Sequence, residues 1–440
     1  MNKSKTFCPI PWIFQAVRAN GDLRVCCQAN ISKGRGVLPK ENGINFNARG
    51  DNLVEARNNQ VLKKMRLNML KGEWSSDCIR CQQEEQNGLR SRRIYEMEQW
   101  SFNQESAESV TSDNGAIDTK ASPVIYYDLR FGNLCNLACR MCSPADSSAW
   151  YSDWVKLYNK TTFNDTHGVV NLELKSNKYI TNTYDWHQSD SFWKQISNNL
   201  ENINHVYMAG GEPLLIKNHY DFLQQCVDRK FASQIVLEYN TNCTKLPQRA
   251  LDLWTKFKEV RIGASIDGYG KYIEYQRYPV KWDNLYENLV KINNLPNNIY
   301  AWFALTITSY NIFHLTDFMK WKLVNKSTSN FNRSKKRPII THHMAHNPKY
   351  LNIRSLPDGL KDQVANKFKE FVYWVEGNGF SIEIQNEAKK ITSTIQDYMT
   401  SADYNKEYWS EFCDYTAKLD AIRQQNFLVL QPNFEEYFNV

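Results

Sequence analysis

The sequence predicts an α/β protein built on a parallel sheet of six βα units, and three observations predict it. Six short apolar runs begin near Val124, His205, Ile235, Val260, Tyr300 and Pro338. Helix-like patterns fill most of the gaps between them, at Trp193–Leu200, Tyr220–Arg229, Leu251–Phe257, Asn284–Ile292 and Leu315–Leu323, which is the alternation that parallel βα units require. Residues suited to chemistry gather just after these runs, at the strand ends where parallel α/β proteins build their sites.

Taken in order, the chain divides into four regions. Residues 1–100 carry five cysteines and a basic patch, Arg90–Arg93. Residues 101–122 are rich in Ser, Glu, Asn and Asp, with Gly115 inside and Pro123 just after, and read as a linker. Residues 123–345 hold the six units. The span from Cys142 to His205 exceeds what one helix needs. It is expected to hold a helix at Asp146–Tyr158 and an insertion, Asn159–Tyr184, read as a surface loop in preference to a substrate contact. Residues 346–440 form a helical extension. Leu360, Val364, Phe368, Phe371, Val372 and Val375 recur at helical spacing, and the tail through Tyr398, Trp409, Phe412 and Tyr415 to Phe438 reads as aromatic core packing. No internal repeat is apparent.

Composition bounds the function classes. The 440 residues are 42% apolar and 13% aromatic, enough for a sizeable core. Mean hydropathy is −0.61 and no run approaches membrane-spanning length. The N-terminus, Met1 to Trp12, lacks an apolar signal-peptide core, so export is not expected. A net charge of +7 permits an acidic partner without requiring one. Of the eleven cysteines, seven or eight fall at metal-ligand spacings. That suits a reducing compartment, and the expected location is the cytoplasm.

The strongest signal is the loop Cys135, Cys139, Cys142, a C-x3-C-x2-C spacing directly after the first apolar run. Iron–sulfur cubes are normally held by four thiolates. A three-cysteine loop therefore leaves one iron open to a small ligand. Zinc is the competing occupant, but it prefers four ligands from Cys and His, and no histidine lies near this loop. The arrangement resembles the radical S-adenosylmethionine (SAM) superfamily. The resemblance implies an open (β/α)6 partial barrel of TIM-like construction and a four-iron four-sulfur cluster on Cys135, Cys139 and Cys142. It also implies SAM on the open iron, cleaved by one electron to a 5′-deoxyadenosyl radical that removes a substrate hydrogen.

Further segments resemble the family's SAM contacts. Gly210, Gly211, Glu212 and Pro213 follow the second run and match the turn that binds the SAM amino group; glycines there let backbone approach a ligand without a Cβ. Asn240, Thr241 and Asn242 match ribose-facing positions after the third run. Ser265 matches a ribose or carboxylate contact after the fourth, and Arg277 the arginine that approaches the SAM carboxylate. Asp267 is expected to face the cavity and act with the cluster cysteines in catalysis. Each residue alone reads equally well as turn chemistry; their order carries the weight. Cys243, next to the third motif, is a candidate radical relay. His342 and His343 are candidates for acid–base work or substrate contact, against a structural hydrogen bond. Cys226 and Cys413 read as core residues.

The N-terminal cysteines have their own order. Cys8, Gly21 and Cys26 read C-x12-G-x4-C, and Cys78 with Cys81 reads C-x2-C. This resembles the SPASM and shorter twitch extensions that hold an auxiliary four-iron four-sulfur cluster. Those usually follow the barrel, whereas this set precedes it. Five cysteines suit a one-cluster, twitch-like domain with ligands Cys8, Cys26, Cys78 and Cys81, although the doublet Cys26-Cys27 leaves one ligand ambiguous. A four-cysteine zinc site is the alternative. Trp12 is expected to pack beside the site.

The expectation is a radical SAM enzyme of oxidoreductase or lyase type that modifies a peptide or protein and draws electrons from a flavodoxin or ferredoxin. A small-molecule substrate (sugar, nucleoside or alcohol) is the alternative. A membrane is not an expected partner. The rival from another class is a zinc-stabilised nucleic-acid-binding module using the basic patches Arg90–Arg93 and Arg333–Arg337.

Overall fold

Six parallel strands in unbroken sequential order form the centre of the molecule. The computed structural model describes residues 5–29, 36–165, 168–332 and 337–438. Residues 1–4 of the N-terminal segment and residues 333–336 of the second basic patch lie outside them. The sheet contains β1 (Phe14–Val17), β2 (Leu23–Arg24), β3 (Tyr126–Phe131), β4 (His205–Gly210), β5 (Val236–Thr241), β6 (Glu259–Ser265), β7 (Ile299–Ile307) and β8 (Thr341–Met344). Their order is β8-β7-β6-β5-β4-β3-β1-β2. All neighbours are parallel except β1 and β2. Each of β3 to β8 begins within a few residues of the apolar run that foretold it.

Side chains alternate across a strand with period two, and here the two faces differ in kind. Leu129, Phe131, Val206, Met208, Leu237 and Tyr239 are buried in the main core. The intervening positions include Asp128, Arg130, Tyr207 and Glu238. The sheet is thus apolar on one face and polar on the other.

The first hundred residues, read as a unit of their own, extend this sheet. β1 pairs with β3 from Phe14↔Tyr126 to Val17↔Leu129. All four β1 residues are buried, but four residues are too few to carry a periodic signal. The polar stretch read as a linker holds the helix Gln104–Val110, with the Asn103 side chain accepting from the Ser106 N–H. Ala107 and Ile117 are buried there, and Trp12 donates its indole N–H to Thr111 Oγ1 at 2.8 Å. Few inward residues sufficed to fold it, which is why composition hid it.

The insertion forms two antiparallel hairpins, Thr162–Asp165 with Gly168–Asn171 and Glu173–Lys175 with Lys178–Ile180. Phe163, Val170 and Leu172 pack with Tyr151 and Tyr184 into a small satellite core. The extension is three long helices, Asp358–Gly377, Ile382–Thr400 and Asn405–Arg423. Leu360, Val364, Phe368, Phe371 and Val375 are buried, as their spacing requires. Among the described residues, no helix is long and apolar enough to cross a membrane.

Candidate functional site

The cysteine loop leaves β3 and is clamped from several sides. Ala138 N–H donates to the Tyr278 carbonyl at 2.7 Å, and Arg140 N–H to the Gln276 carbonyl at 2.8 Å. Ser147 Oγ donates to the Leu137 carbonyl at 2.6 Å, and the Trp150 indole to the Cys139 carbonyl at 2.8 Å. Arg140 is fully buried and holds the loop to the last long helix. Its guanidinium pairs with Asp420 and donates from Nη2 to Gln425 Oε1 at 2.9 Å. It also stacks 3.7 Å over the Tyr275 ring. Sequence reading passed over Arg140; an arginine inside a short cysteine loop, facing an apolar core, was the available signal.

β4 runs directly against this loop. Gly211 N–H donates to the Gly132 carbonyl at 3.0 Å, and Glu212 N–H to the Leu134 carbonyl at 2.8 Å. A Cβ on Gly210, whose φ is +127°, would lie 2.7 Å from Phe131 N; one on Gly211 would lie 2.3 Å from the Leu134 oxygen. Two glycines are therefore needed for the turn to touch the loop at all.

A cavity of about 610 Å³ opens at the C-terminal ends of these strands. It brings together Cys135, Cys139 and Cys142 with Gly210 and Gly211 from the end of β4. Asn240, Thr241 and Asn242 enter from β5, Ser265 from β6, and Arg277 from beyond it. Arg277 is 8% exposed. Its Nε donates to Asp267 Oδ2 at 2.6 Å, and its Nη1 lies 3.8 Å from Cys139 Sγ. Asn242 Nδ2 lies 3.7 Å from Cys135 Sγ. A fixed positive charge and an amide donor thus stand beside the thiols.

Other expected residues stand behind the cavity wall. Asp267, expected to face the cavity, is buried behind Arg277 and takes the Thr306 N–H at 2.8 Å on its second oxygen. It positions the guanidinium. Glu212 and Pro213 do not line the cavity either. The Glu212 carboxylate accepts from the Thr241 hydroxyl and the Asn242 N–H, both at 2.7 Å, so it ties β4 to β5. Burial pushes its pKa up to about 7. Cys243 is fully buried, with φ +59°, outside the cavity. His343 lines the cavity and His342 does not, while His346 joins it unforeseen. Cys226 and Cys413 are core residues.

The N-terminal thiols converge elsewhere. Cys8, Cys26, Cys78 and Cys81 line one void of about 30 Å³, walled by Ile10, Met65 and Met69. Cys27 is not among them; it lines a separate chamber beside the sheet. Burial pushes Cys78 up to about 12 and Cys135 up to about 11, and it raises Cys8 and Cys81. Thiols so placed stay protonated unless a cation takes their charge. Cys139 is held down and Cys142 pushed up by the hydrogen bond they share. Among the described residues, no three of His, Cys, Asp or Glu are drawn close enough to hold a single metal ion. Either set of thiols supplies the donor type an iron–sulfur group requires.

No protein-family model matches the chain, and no curated protein sequence matches it. Among solved structures the chain is similar to native anSMEcpe with bound AdoMet, at 16% identity and a TM-score of 0.36, over 58% of this chain and 62% of that one. It is similar to Streptococcus suis SuiB bound to S-adenosylmethionine, at 12% identity and TM-score 0.34, over 77% and 66% of the two chains. It is also similar to TYW1 with a lysine-pyruvate adduct bound, at 11% identity and TM-score 0.30, over 58% and 74%. The matched region spans less than two thirds of the anSMEcpe chain. The functional reading therefore rests on this chain's own residues.

Proposed function

We propose that this protein is a radical SAM enzyme with Cys135, Cys139 and Cys142 as ligands of its SAM-binding cluster. The observation that carries this is the convergence of those three thiols, the Gly210-Gly211 turn, Asn240, Ser265 and Arg277 on one cavity at the C-terminal strand ends. Bound there, a four-iron four-sulfur cluster would supply the electron for SAM cleavage and so a 5′-deoxyadenosyl radical for hydrogen abstraction. The chain's residues bind and orient. Arg277, aimed by Asp267, offers a charge-assisted donor to a carboxylate. Asn240 and Ser265 offer polar contacts to a ribose, and the glycine turn sets the cysteine loop's position. The six sequential parallel strands suit an open (β/α)6 barrel, since no described strand joins β8 to β2.

The reading extends to an auxiliary four-iron four-sulfur cluster on Cys8, Cys26, Cys78 and Cys81, within a twitch-like unit spanning residues 1–100. Four thiol donors around one void support it, Cys27 stands apart from them, and a four-cysteine zinc site is the rival for the same donors. A peptide or protein is the proposed substrate, with a small molecule as its rival; a cytoplasmic flavodoxin or ferredoxin is the proposed reductant. The test is anaerobic reduction with SAM present. 5′-Deoxyadenosine should form and should vanish in the Cys135→Ala, Cys139→Ala, Cys142→Ala variant. A colourless, zinc-loaded protein that leaves SAM intact would refute the reading.

A further inference from the structure

A second chamber, of about 680 Å³, lies against the polar face of the sheet. It shares Arg130, Asn240, Ser265, Thr306 and His343 with the first cavity, so the two adjoin. Its outer wall is the helix Arg92–Gln99, which contributes Arg92, Tyr95, Glu96 and Gln99. The volume suits a drug-sized ligand or a few residues of peptide.

The walls carry charges of both signs. Four guanidiniums, from Arg90, Arg92, Arg130 and Arg337, face three carboxylates, from Glu96, Asp128 and Glu238. Most are paired along the wall. Arg92 pairs with Glu96, Arg130 Nε lies 3.1 Å from Asp128 Oδ1, and His205 Nε2 lies 3.1 Å from Glu238 Oε2. Glu96 and Asp128 are 1% and 2% exposed, so these charges are largely desolvated. Even so, Glu96 Oε1, Arg92 Nε and His205 Nε2 make no hydrogen bond beyond those ion contacts. Arg337, at the rim, makes no ion pair among the described residues. Between the charges stand the rings of Trp100, Tyr126, Tyr207 and Trp302.

This wall selects by sign. An apolar ligand would leave desolvated charges and open donors facing it, which is costly. A polyanion such as a nucleotide would find cations in the wall but would also set its charges beside three carboxylates. A ligand with one cation and one anion joined by a short apolar body matches all three features. Resting on the radical SAM reading, we propose that the chamber is the substrate site and that its substrate presents an amino-acid zwitterion. The source is a free amino acid or a short peptide with both termini charged.

Binding to the full chain, followed by tryptophan fluorescence and calorimetry, tests this. The probes are free norleucine, the dipeptide Leu-Leu, its N-acetylated and C-amidated form, and pyrophosphate. Norleucine or Leu-Leu should bind at least ~10-fold tighter than the blocked form, as loss of a charged hydrogen bond implies; which of the two wins identifies the source. Glu238→Gln should weaken that binding ~10-fold, and Arg337→Gln, at the exposed rim, should weaken it too if the first variant fails to fold. Equal binding of the blocked form, tighter binding of pyrophosphate, or no saturable binding by any probe would overturn the proposal. SAM cleavage by the unaltered protein without any probe is a separate readout. Its failure sinks the cofactor reading and leaves only the zwitterion-binding result standing, and its success with no zwitterion binding sinks this inference alone.

Discussion

Arg277 carries a buried charge aimed by Asp267 and set 3.8 Å from Cys139 Sγ. Arg277→Gln should raise the SAM concentration for half-maximal cleavage by ~10-fold or more, the worth of a charge-assisted hydrogen bond. Asp267→Asn should do the same more weakly, because it loosens the guanidinium without removing it; SAM titrations of 5′-deoxyadenosine formation check both. Replacing Cys135, Cys139 and Cys142 together by alanine should lower bound iron from about eight to about four per chain, measured by metal analysis after anaerobic reconstitution. The sequence told which residues follow each strand but not which side of the turn they occupy. That is why Asp267 and Glu212 lie behind the cavity that Arg277 and Ser265 line.

Strand and loop are joined through contacts that no single side chain reveals. Gly211→Ala would drive a Cβ to 2.3 Å from the Leu134 oxygen, and backbone there cannot yield cheaply. A loss of about 1–3 kcal/mol is expected, read as a lower midpoint in urea. Arg140 is the larger test. Its side chain is 0% exposed and its partner Asp420 13%, so Asp420→Ala strands a buried guanidinium and should cost about 3–5 kcal/mol, again by urea midpoint. The six strands were readable because each is a short apolar run ended by turn residues. The polar face was also written there, in the alternation of Asp128 and Arg130, Tyr207, and Glu238. Picking out each run by its apolar residues concealed it. The Arg140–Asp420 contact spans 280 residues, and no local pattern announces such a pair.

Folding of the molecule also depends on keeping buried histidines neutral. His314 is 2% exposed, stacks on Tyr272 at 3.8 Å and accepts the Tyr269 N–H on Nε2 at 3.3 Å. Burial lowers its pKa from 6.5 to about 4. In that interval the unfolded chain binds the extra proton. Its stabilising contribution is therefore complete above pH 6.5 and is lost as pH falls through 4, up to about 3 kcal/mol. Glu387, raised to about 7, acts in the opposite sense, with its contribution complete below 4.5 and lost as pH rises through 7. The difference between the unaltered protein and His314→Asn isolates the first effect, and urea midpoints should converge between pH 6.5 and 4. Tertiary assembly is where sequence reading stopped short: β1 joined the core sheet, and the supposed linker folded beside it. The decisive measurement is the electron paramagnetic resonance spectrum of the reduced, iron-loaded protein with and without SAM. A signal that changes shape when SAM is added, and that is missing from the Cys135, Cys139 and Cys142 alanine variant, is the predicted result; a spectrum indifferent to SAM would contradict it.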